Sequence, residues 1–94
     1  MYLRLVRFTL SDASGAKARE MADELIPAIK EHPGCLSAAF FGGGPDGESG
    51  LSVLWDTEEH ADSAAAAVGP RLLGHLSGNV KGEPEIHLYP VLTA

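Results

Sequence analysis

The chain has 94 residues, which suits one domain and is short of two. Hydrophobic residues make up 45% of it, a fraction that is typical of a globular domain and argues against disorder. The formal net charge is −6, and the seven basic residues are spread singly. Nucleic-acid binding is therefore disfavoured, because phosphate recognition needs a clustered basic patch, and an acidic membrane surface would repel the chain.

Cysteine usage and the N-terminal segment indicate the compartment. Cys35 is the single cysteine and cannot form an intramolecular disulfide, so nothing indicates an oxidising environment. The first seven residues carry arginines inside an apolar run, and no cleavage-type signal follows, which is unlike a signal peptide or a membrane span. We expect a cytoplasmic protein with one domain over residues 1–94.

The first half of the chain predicts a strand, a helix and a second strand. Residues 2–9 are largely apolar in both phases, as in a strand that is covered on both faces. A helix is predicted over residues 16–31, with apolar side chains three and four residues apart. Pro27 is expected to kink this helix or split off its last turn, and Pro33-Gly34 to end it. Residues 35–41 are again apolar in both phases and predict the second strand.

The second half predicts a strand, an interrupted helix and a final strand. Residues 42–47 read as a hairpin loop, and residues 51–55 as a buried strand. Asp56 and Glu59 have the spacing of a capping box that starts the second helix, with Thr57 as the alternative N-cap. Gly69-Pro70 is expected to break this helix and to begin a short one through Leu76. The last strand is predicted over residues 84–92.

The order is βαββαβ, which predicts an α+β fold with a four-stranded antiparallel sheet. Two helices can cover only one face of such a sheet, yet every strand is apolar in both phases. A second copy of the chain is the simplest way to bury the other face, so we expect a homodimer. A small-molecule cavity is predicted between the sheet and its partner, where the side chains are small.

Two segments resemble the antibiotic biosynthesis monooxygenase-like family. They are residues 31–37, Glu-His-Pro-Gly-Cys-Leu-Ser, and residues 54–61, Leu-Trp-Asp-Thr-Glu-Glu-His-Ala. The resemblance implies a ferredoxin-like fold that dimerises into an α/β barrel. The family includes cofactor-independent oxygenases of aromatic polyketides, haem-degrading enzymes and proteins without an assigned activity.

Six residues are candidates for a site. Trp55 is expected either to stack on an aromatic substrate or to anchor the core. Arg4 and Arg7 lie on a strand that is central in this topology and need a carboxylate or an anionic ligand; because they are three residues apart, only one can enter a cavity. His75 is a candidate general base, with a surface histidine as the alternative. His87 and Tyr89 share a strand face and are candidates for hydrogen bonds to a ligand or for packing at the dimer edge.

The sequence contains neither a metal-ligand cluster nor a nicotinamide or flavin fingerprint, so no cofactor is expected. The leading hypothesis is a cofactor-independent monooxygenase that acts on a small aromatic or quinol substrate. The second is a dimeric module that binds a small ligand, or serves a structural role, without catalysis. The third is a haem-binding or haem-degrading protein.

Overall fold

The computed structural model describes residues 1–12 and 14–94, and within them the chain forms the predicted βαββαβ order. The elements are β1 (Tyr2–Leu10), α1 (Ala16–Lys30), β2 (Cys35–Phe41), β3 (Glu48–Trp55), α2 (Glu58–Leu76) and β4 (Val80–Pro90). A short 3₁₀ turn, Pro45–Gly47, lies in the loop between β2 and β3. The strands form one antiparallel sheet in the order β2-β3-β1-β4, so β1 is central as predicted.

Both helices pack on one face of this sheet, which we call the helix face. Each helix presents a stripe of buried side chains at spacings of three and four residues, as an amphipathic helix on a core does. The core also takes alternate residues from the two central strands. Its strand members are Val6, Phe8, Leu10, Leu51, Val53 and Trp55.

The opposite side of the sheet, which we call the open face, has no helix over it among the described residues. It carries the other phase of each strand, which includes the half-buried side chains of Leu3, Leu5 and Leu54 and the exposed side chains of Phe41 and Tyr89. The expectation that both faces of the sheet carry apolar side chains is confirmed for these strands.

The prediction that Gly69-Pro70 breaks the second helix is wrong. Helix α2 runs through Pro70 without interruption, and α1 likewise continues through Pro27 to Lys30. A proline inside a helix removes one backbone hydrogen bond. Beyond Pro70, however, Leu72 and Leu76 continue the buried stripe of α2, and their burial offsets that loss.

The predicted capping box at the start of α2 is also wrong, and the alternative cap is the one observed. The hydroxyl oxygen of Thr57 accepts a hydrogen bond of 3.1 Å from the backbone N–H of His60. Asp56 instead binds the imidazole ring of His60. The Thr57 side chain therefore satisfies one of the free N–H groups of the first turn.

Two strands have different limits from those predicted. Strand β3 begins earlier, at Glu48, and β4 occupies residues 80–90 rather than 84–92. The pairing of β1 with β4 shifts register between Arg7 and Thr9, and Gly82 has a φ of +73° in this stretch. The irregularity lets β4 continue across a region that reads as a turn in the sequence.

Candidate ligand cavity

A cavity of about 260 Å³ lies between the helix face of the sheet and α2. Its floor consists of side chains from β1 and β3, and its roof consists of small side chains from α2. The floor residues are Val6, Leu51, Val53 and Trp55. The residues on the side of α2 are Ala61, Ala64, Ala65 and Val68. Leu73 and Ile86 also line the cavity and are about half exposed, so they mark its rim.

Small residues of α2 form one side of this space. The sequence indicates that a thin apolar stripe lets the helix lie close to the sheet, and in the structure Ala61 and Ala64 are buried against the sheet. Well-packed interiors leave few voids larger than a water molecule, so a space of this size is a candidate ligand site.

Trp55 forms part of the cavity floor. It is the last residue of β3 and only 2% of its surface is exposed. It lines the cavity and belongs to the hydrophobic core, and its burial leaves almost no ring surface open to a ligand. The interpretation of Trp55 as a core anchor agrees with this burial, and stacking on a substrate stays a prediction.

Arg4 is the charged residue of the cavity lining. Its side chain is 17% exposed, and one terminal nitrogen, Nη2, lies 3.2 Å from Oδ1 of Asp62 on α2. The Nε atom is buried and has no hydrogen-bond partner among the described residues. Buried polar groups are nearly always satisfied, so a free guanidinium N–H beside an apolar cavity is unusual.

The cavity described here lies on the helix face and is lined by residues of one chain. The predicted cavity between the sheet and a partner copy is a separate space and stays a prediction. The two arginines do point to opposite faces, as predicted. Arg7 lies on the open face with about half of its side chain exposed, 3.7 Å from Glu48 and 3.9 Å from Glu85.

His87 and Tyr89 lie on the open face as well, opposite Leu5 and Leu3 of β1. Their rings stack with centroids 5.5 Å apart and an interplanar angle of 20°. Neither residue contributes to the cavity lining. The structure therefore brings Trp55 and Arg4 together and separates them from the other candidates on the sheet.

His75 lies between the two helices. Its Nε2 atom contacts the carboxylate of Glu24 on α1, and its Nδ1 atom lies 3.0 Å from the Lys17 ammonium nitrogen. Arg71 is 3.5 Å from the same carboxylate. The hydrogen bond from His75 is the main reason that the pKa of Glu24 lies below its ordinary value. His75 does not line the cavity. Its role in proton transfer stays a prediction.

The two segments that carry the family resemblance meet in space, at a contact we call the joint, formed by Gly34, Asp56, Thr57 and His60. The backbone N–H of Asp56 donates to the Gly34 carbonyl at 3.0 Å, and the Asp56 carboxylate lies 2.7 Å from Nδ1 of His60. That ring contact is the main cause of a lowered pKa for Asp56. Gly34 has a φ of +87°, and a Cβ there would fall 2.2 Å from the Asp56 carboxylate.

Asp62 is a site residue that the sequence analysis missed. It lies one position beyond Ala61, and no spacing rule links a helix carboxylate to an arginine 58 residues earlier. The alanine stripe of α2 was a usable signal, because small residues opposite a tryptophan leave room for a ligand.

Neither a metal site nor a membrane-spanning helix is found in the described part of the chain. No group of three or more potential metal-ligating side chains occurs in residues 1–12 and 14–94. Within the same ranges, the helices are too short or too polar to span a bilayer. The cavity lining, as far as it is described, contains no histidine, cysteine, methionine or tyrosine that could ligate haem iron.

No protein-family model and no curated protein sequence matches the chain. Several solved structures match its fold. A Nitrosomonas europaea protein of unknown function is 15% identical with a TM-score of 0.84, and the match covers 99% of this chain and 90% of that one. SnoaB, a cofactor-independent oxygenase from Streptomyces nogalater, is 15% identical with a TM-score of 0.79, covering 99% and 94%.

A monooxygenase from the gene ActVA-Orf6 of Streptomyces coelicolor, solved with the ligand nanaomycin D, is 22% identical with a TM-score of 0.75, covering 99% and 88%. The TM-scores of these matches show a shared fold, and sequence identities this low support no conclusion beyond the fold. The ferredoxin-like α+β fold is thereby confirmed, and the resemblance to antibiotic biosynthesis monooxygenases is confirmed at the level of the fold.

Proposed function

We propose that the chain is a cofactor-independent monooxygenase that oxidises a small aromatic or quinol-type substrate in the cavity between the sheet and α2. The observation that carries the proposal is an apolar cavity with Trp55 on its floor and Arg4 in its lining, in a fold shared with proteins named monooxygenases. A volume of about 260 Å³ lies just below the usual range of drug-sized pockets, which favours a compact ring system.

The chemistry needs no external reductant when the substrate supplies the electrons. In an anthrone, a methylene group becomes a carbonyl: the carbon loses two hydrogens and gains one oxygen atom from O₂. The second oxygen atom leaves as water together with those hydrogens. An electron-rich anion of the substrate reacts with O₂ more readily than the neutral form, so a group that stabilises this anion promotes the reaction.

Oxygen uptake with a panel of anthrones and quinols, without added metal or cofactor, tests this function. Ala65 and Ala66 are both exposed, but only Ala65 lines the cavity, so Ala65→Leu adds bulk at the cavity rim and Ala66→Leu is a matched change away from it. We expect Ala65→Leu to lower the rate at least tenfold and Ala66→Leu to preserve it. Uptake no faster than in protein-free buffer for every substrate would contradict the proposal.

A second candidate function is a binding module without catalysis. It is favoured by the composition of the lining, because the described residues there include no carboxylate and no histidine that could remove a proton. In this case ligands should raise the melting temperature of the wild type but not of Ala65→Leu, and no oxygen uptake should occur. That combination would support a binding module over an oxygenase.

We also propose that a second copy of the chain covers the open face. The apolar side chains of Leu3, Leu5, Leu54 and Phe41 on that face support this arrangement. Sedimentation at micromolar concentration should give a dimer, and Leu5→Glu should yield monomers, with Ala66→Glu on the exposed side of α2 as the control. A folded wild-type monomer would contradict the dimer but would leave the cavity intact, because residues of one chain line it.

A further inference from the structure

We infer that Lys17 is an acylation site, at which His75 acts as the base that activates the lysine amine toward acyl phosphates. The two side chains meet between the helices and neither of them lines the cavity. The inference therefore concerns a second site and does not rest on the proposed function.

The first argument is the contact between the two side chains. Lys17 lies in the first turn of α1 and His75 in the last turn of α2, 58 residues later. The ammonium nitrogen Nζ is 3.0 Å from the ring nitrogen Nδ1. An ammonium group only donates hydrogen bonds, so Nδ1 is the acceptor and carries no proton. The imidazole is therefore a base within reach of the amine.

The second argument is the carboxylate on the other side of the ring. The Glu24 carboxylate contacts Nε2 of His75, and one of its oxygens lies 3.5 Å from Arg71. The pKa of Glu24 lies below its ordinary value, chiefly because of the hydrogen bond to His75, so this carboxylate is ionised and accepts from Nε2–H. Glu24 is thus a positioning residue, which holds the tautomer with a free Nδ1. Carboxylate, imidazole and nucleophile in this order are an arrangement that activates nucleophiles.

The third argument is the access to the amine and the charges around it. The side chains of Lys17 and His75 are 21% and 17% exposed, so the amine is partly shielded but open to a small reagent. Glu20 lies 3.5 Å from Nζ and favours the ammonium form, but its side chain is 64% exposed and water screens this contact. Lys30 and Lys81 are exposed, and within the described residues neither has a hydrogen bond to a histidine ring.

The acyl transfer needs no cofactor. The Lys17 ammonium gives one proton to Nδ1 of His75, and the neutral amine attacks the carbonyl carbon of the acyl phosphate. The bond between Nζ and this carbon forms, and the bond from the carbon to the phosphate oxygen breaks. Its electron pair leaves with inorganic phosphate, which takes a second proton from the nitrogen. His75 then returns its proton to water, and Lys17 is left as an uncharged amide.

The test measures acetylation of the intact protein by acetyl phosphate in mildly alkaline buffer, followed by mass spectrometry of its peptides. The three lysines of one sample are compared with one another, because an α-amine has a lower ordinary pKa than a lysine. Lys17 should be acetylated at least tenfold faster than Lys30 and Lys81, since a positioned base accelerates proton transfer by such factors.

His75→Gln should reduce the rate at Lys17 to that of the other lysines, and His32→Gln, at a histidine outside this contact, should leave it unchanged. In Glu24→Ala the rate at Lys17 should fall while the rates at Lys30 and Lys81 stay the same. The ¹⁵N resonances of the His75 ring should show the Nε2–H tautomer in the wild type and a mixture of tautomers in Glu24→Ala.

The wild type alone also tests the inference, so the outcome does not depend on whether a variant folds. As the pH falls, protonation of His75 removes the acceptor at Nδ1. The ratio of the Lys17 rate to the Lys30 rate should therefore fall as the ring of His75 titrates, followed by its NMR resonances. Equal rates at all three lysines, a ratio that stays constant while His75 titrates, or a ratio that His75→Gln does not change would overturn the inference.

Discussion

Trp55 and Asp56 are neighbours in the chain but belong to two regions with opposite character. Asp56 lies in the joint, where backbone and side-chain polar groups of Gly34, Thr57 and His60 are paired with one another. Trp55 lies in the cavity, where the lining is apolar and the buried Nε of Arg4 is unpaired within the described residues. Most buried polar groups in proteins are satisfied, so the unpaired Nε of Arg4 sets the cavity apart from the joint.

This difference explains why the family-like segments predict the fold better than the chemistry. Four residues of these segments form the joint, which fixes the start of β2 against the start of α2. Most of the cavity residues lie outside both segments. A resemblance in these segments therefore supports the fold without fixing the chemistry of the ligand site.

The largest expected effect is at the joint. Gly34→Ala should lower the free energy of unfolding by about 3 kcal/mol, because an L-residue is strained at φ +87° and its Cβ would displace the Asp56–His60 pair. Gly43→Ala is the control: its φ is +76° but no atom lies within 4 Å of the added Cβ. It should cost only about 1–2 kcal/mol. Denaturant unfolding with equal losses for both variants would show that the joint contributes nothing beyond backbone strain.

The helix cap is the next test of the joint. Thr57→Ala should destabilise the protein by about 1 kcal/mol, since it removes the acceptor for the His60 N–H. Glu59→Ala, which would break the capping box predicted from the sequence, should change stability by less than about 0.5 kcal/mol. A larger loss for Glu59→Ala than for Thr57→Ala, measured by thermal or chemical unfolding, would contradict the observed cap.

Two glycines of α2 distinguish the cavity from the remainder of the helix. Gly69 lines the cavity and Gly74 does not, and an added Cβ would meet no atom within 4 Å at either position. Each change to alanine should stabilise the protein by about 0.5–1 kcal/mol through helix propensity. Calorimetry should show similar gains for both, whereas ligand affinity should change only for Gly69→Ala. A change in affinity for Gly74→Ala would contradict the cavity boundaries.

The smallest effect concerns pH and the contact between the helices. The pKa of Glu24 is lowered in the folded state, chiefly by the hydrogen bond from His75. Its stabilisation is therefore fully present above the ordinary value of 4.5 and is lost as the pH falls through the lower folded-state pKa. The melting temperature of Glu24→Gln should be below that of the wild type at pH 7, and the two should converge as the pH falls below 4.5.

Glu20→Gln on the same helix is the control for that measurement, since Glu20 makes one exposed contact of 3.5 Å with Lys17. Its effect at pH 7 should be smaller than that of Glu24→Gln. A constant difference between Glu24→Gln and the wild type from pH 7 to pH 3 would mean that ionisation of Glu24 does not stabilise the contact between the helices.

The sequence by itself determined the order of the elements, the central position of β1 and the opposite directions of Arg4 and Arg7, because these follow from local periodicity and strand alternation. It could not determine that α2 continues through Pro70, because burial of Leu72 and Leu76 outweighs a local helix-breaking tendency only once the sheet is in place. Only the tertiary structure showed that His75 pairs with Glu24 and that Arg4 meets Asp62 beside a cavity. Each of those contacts joins residues more than 50 positions apart, and such a distance in sequence carries no local signal.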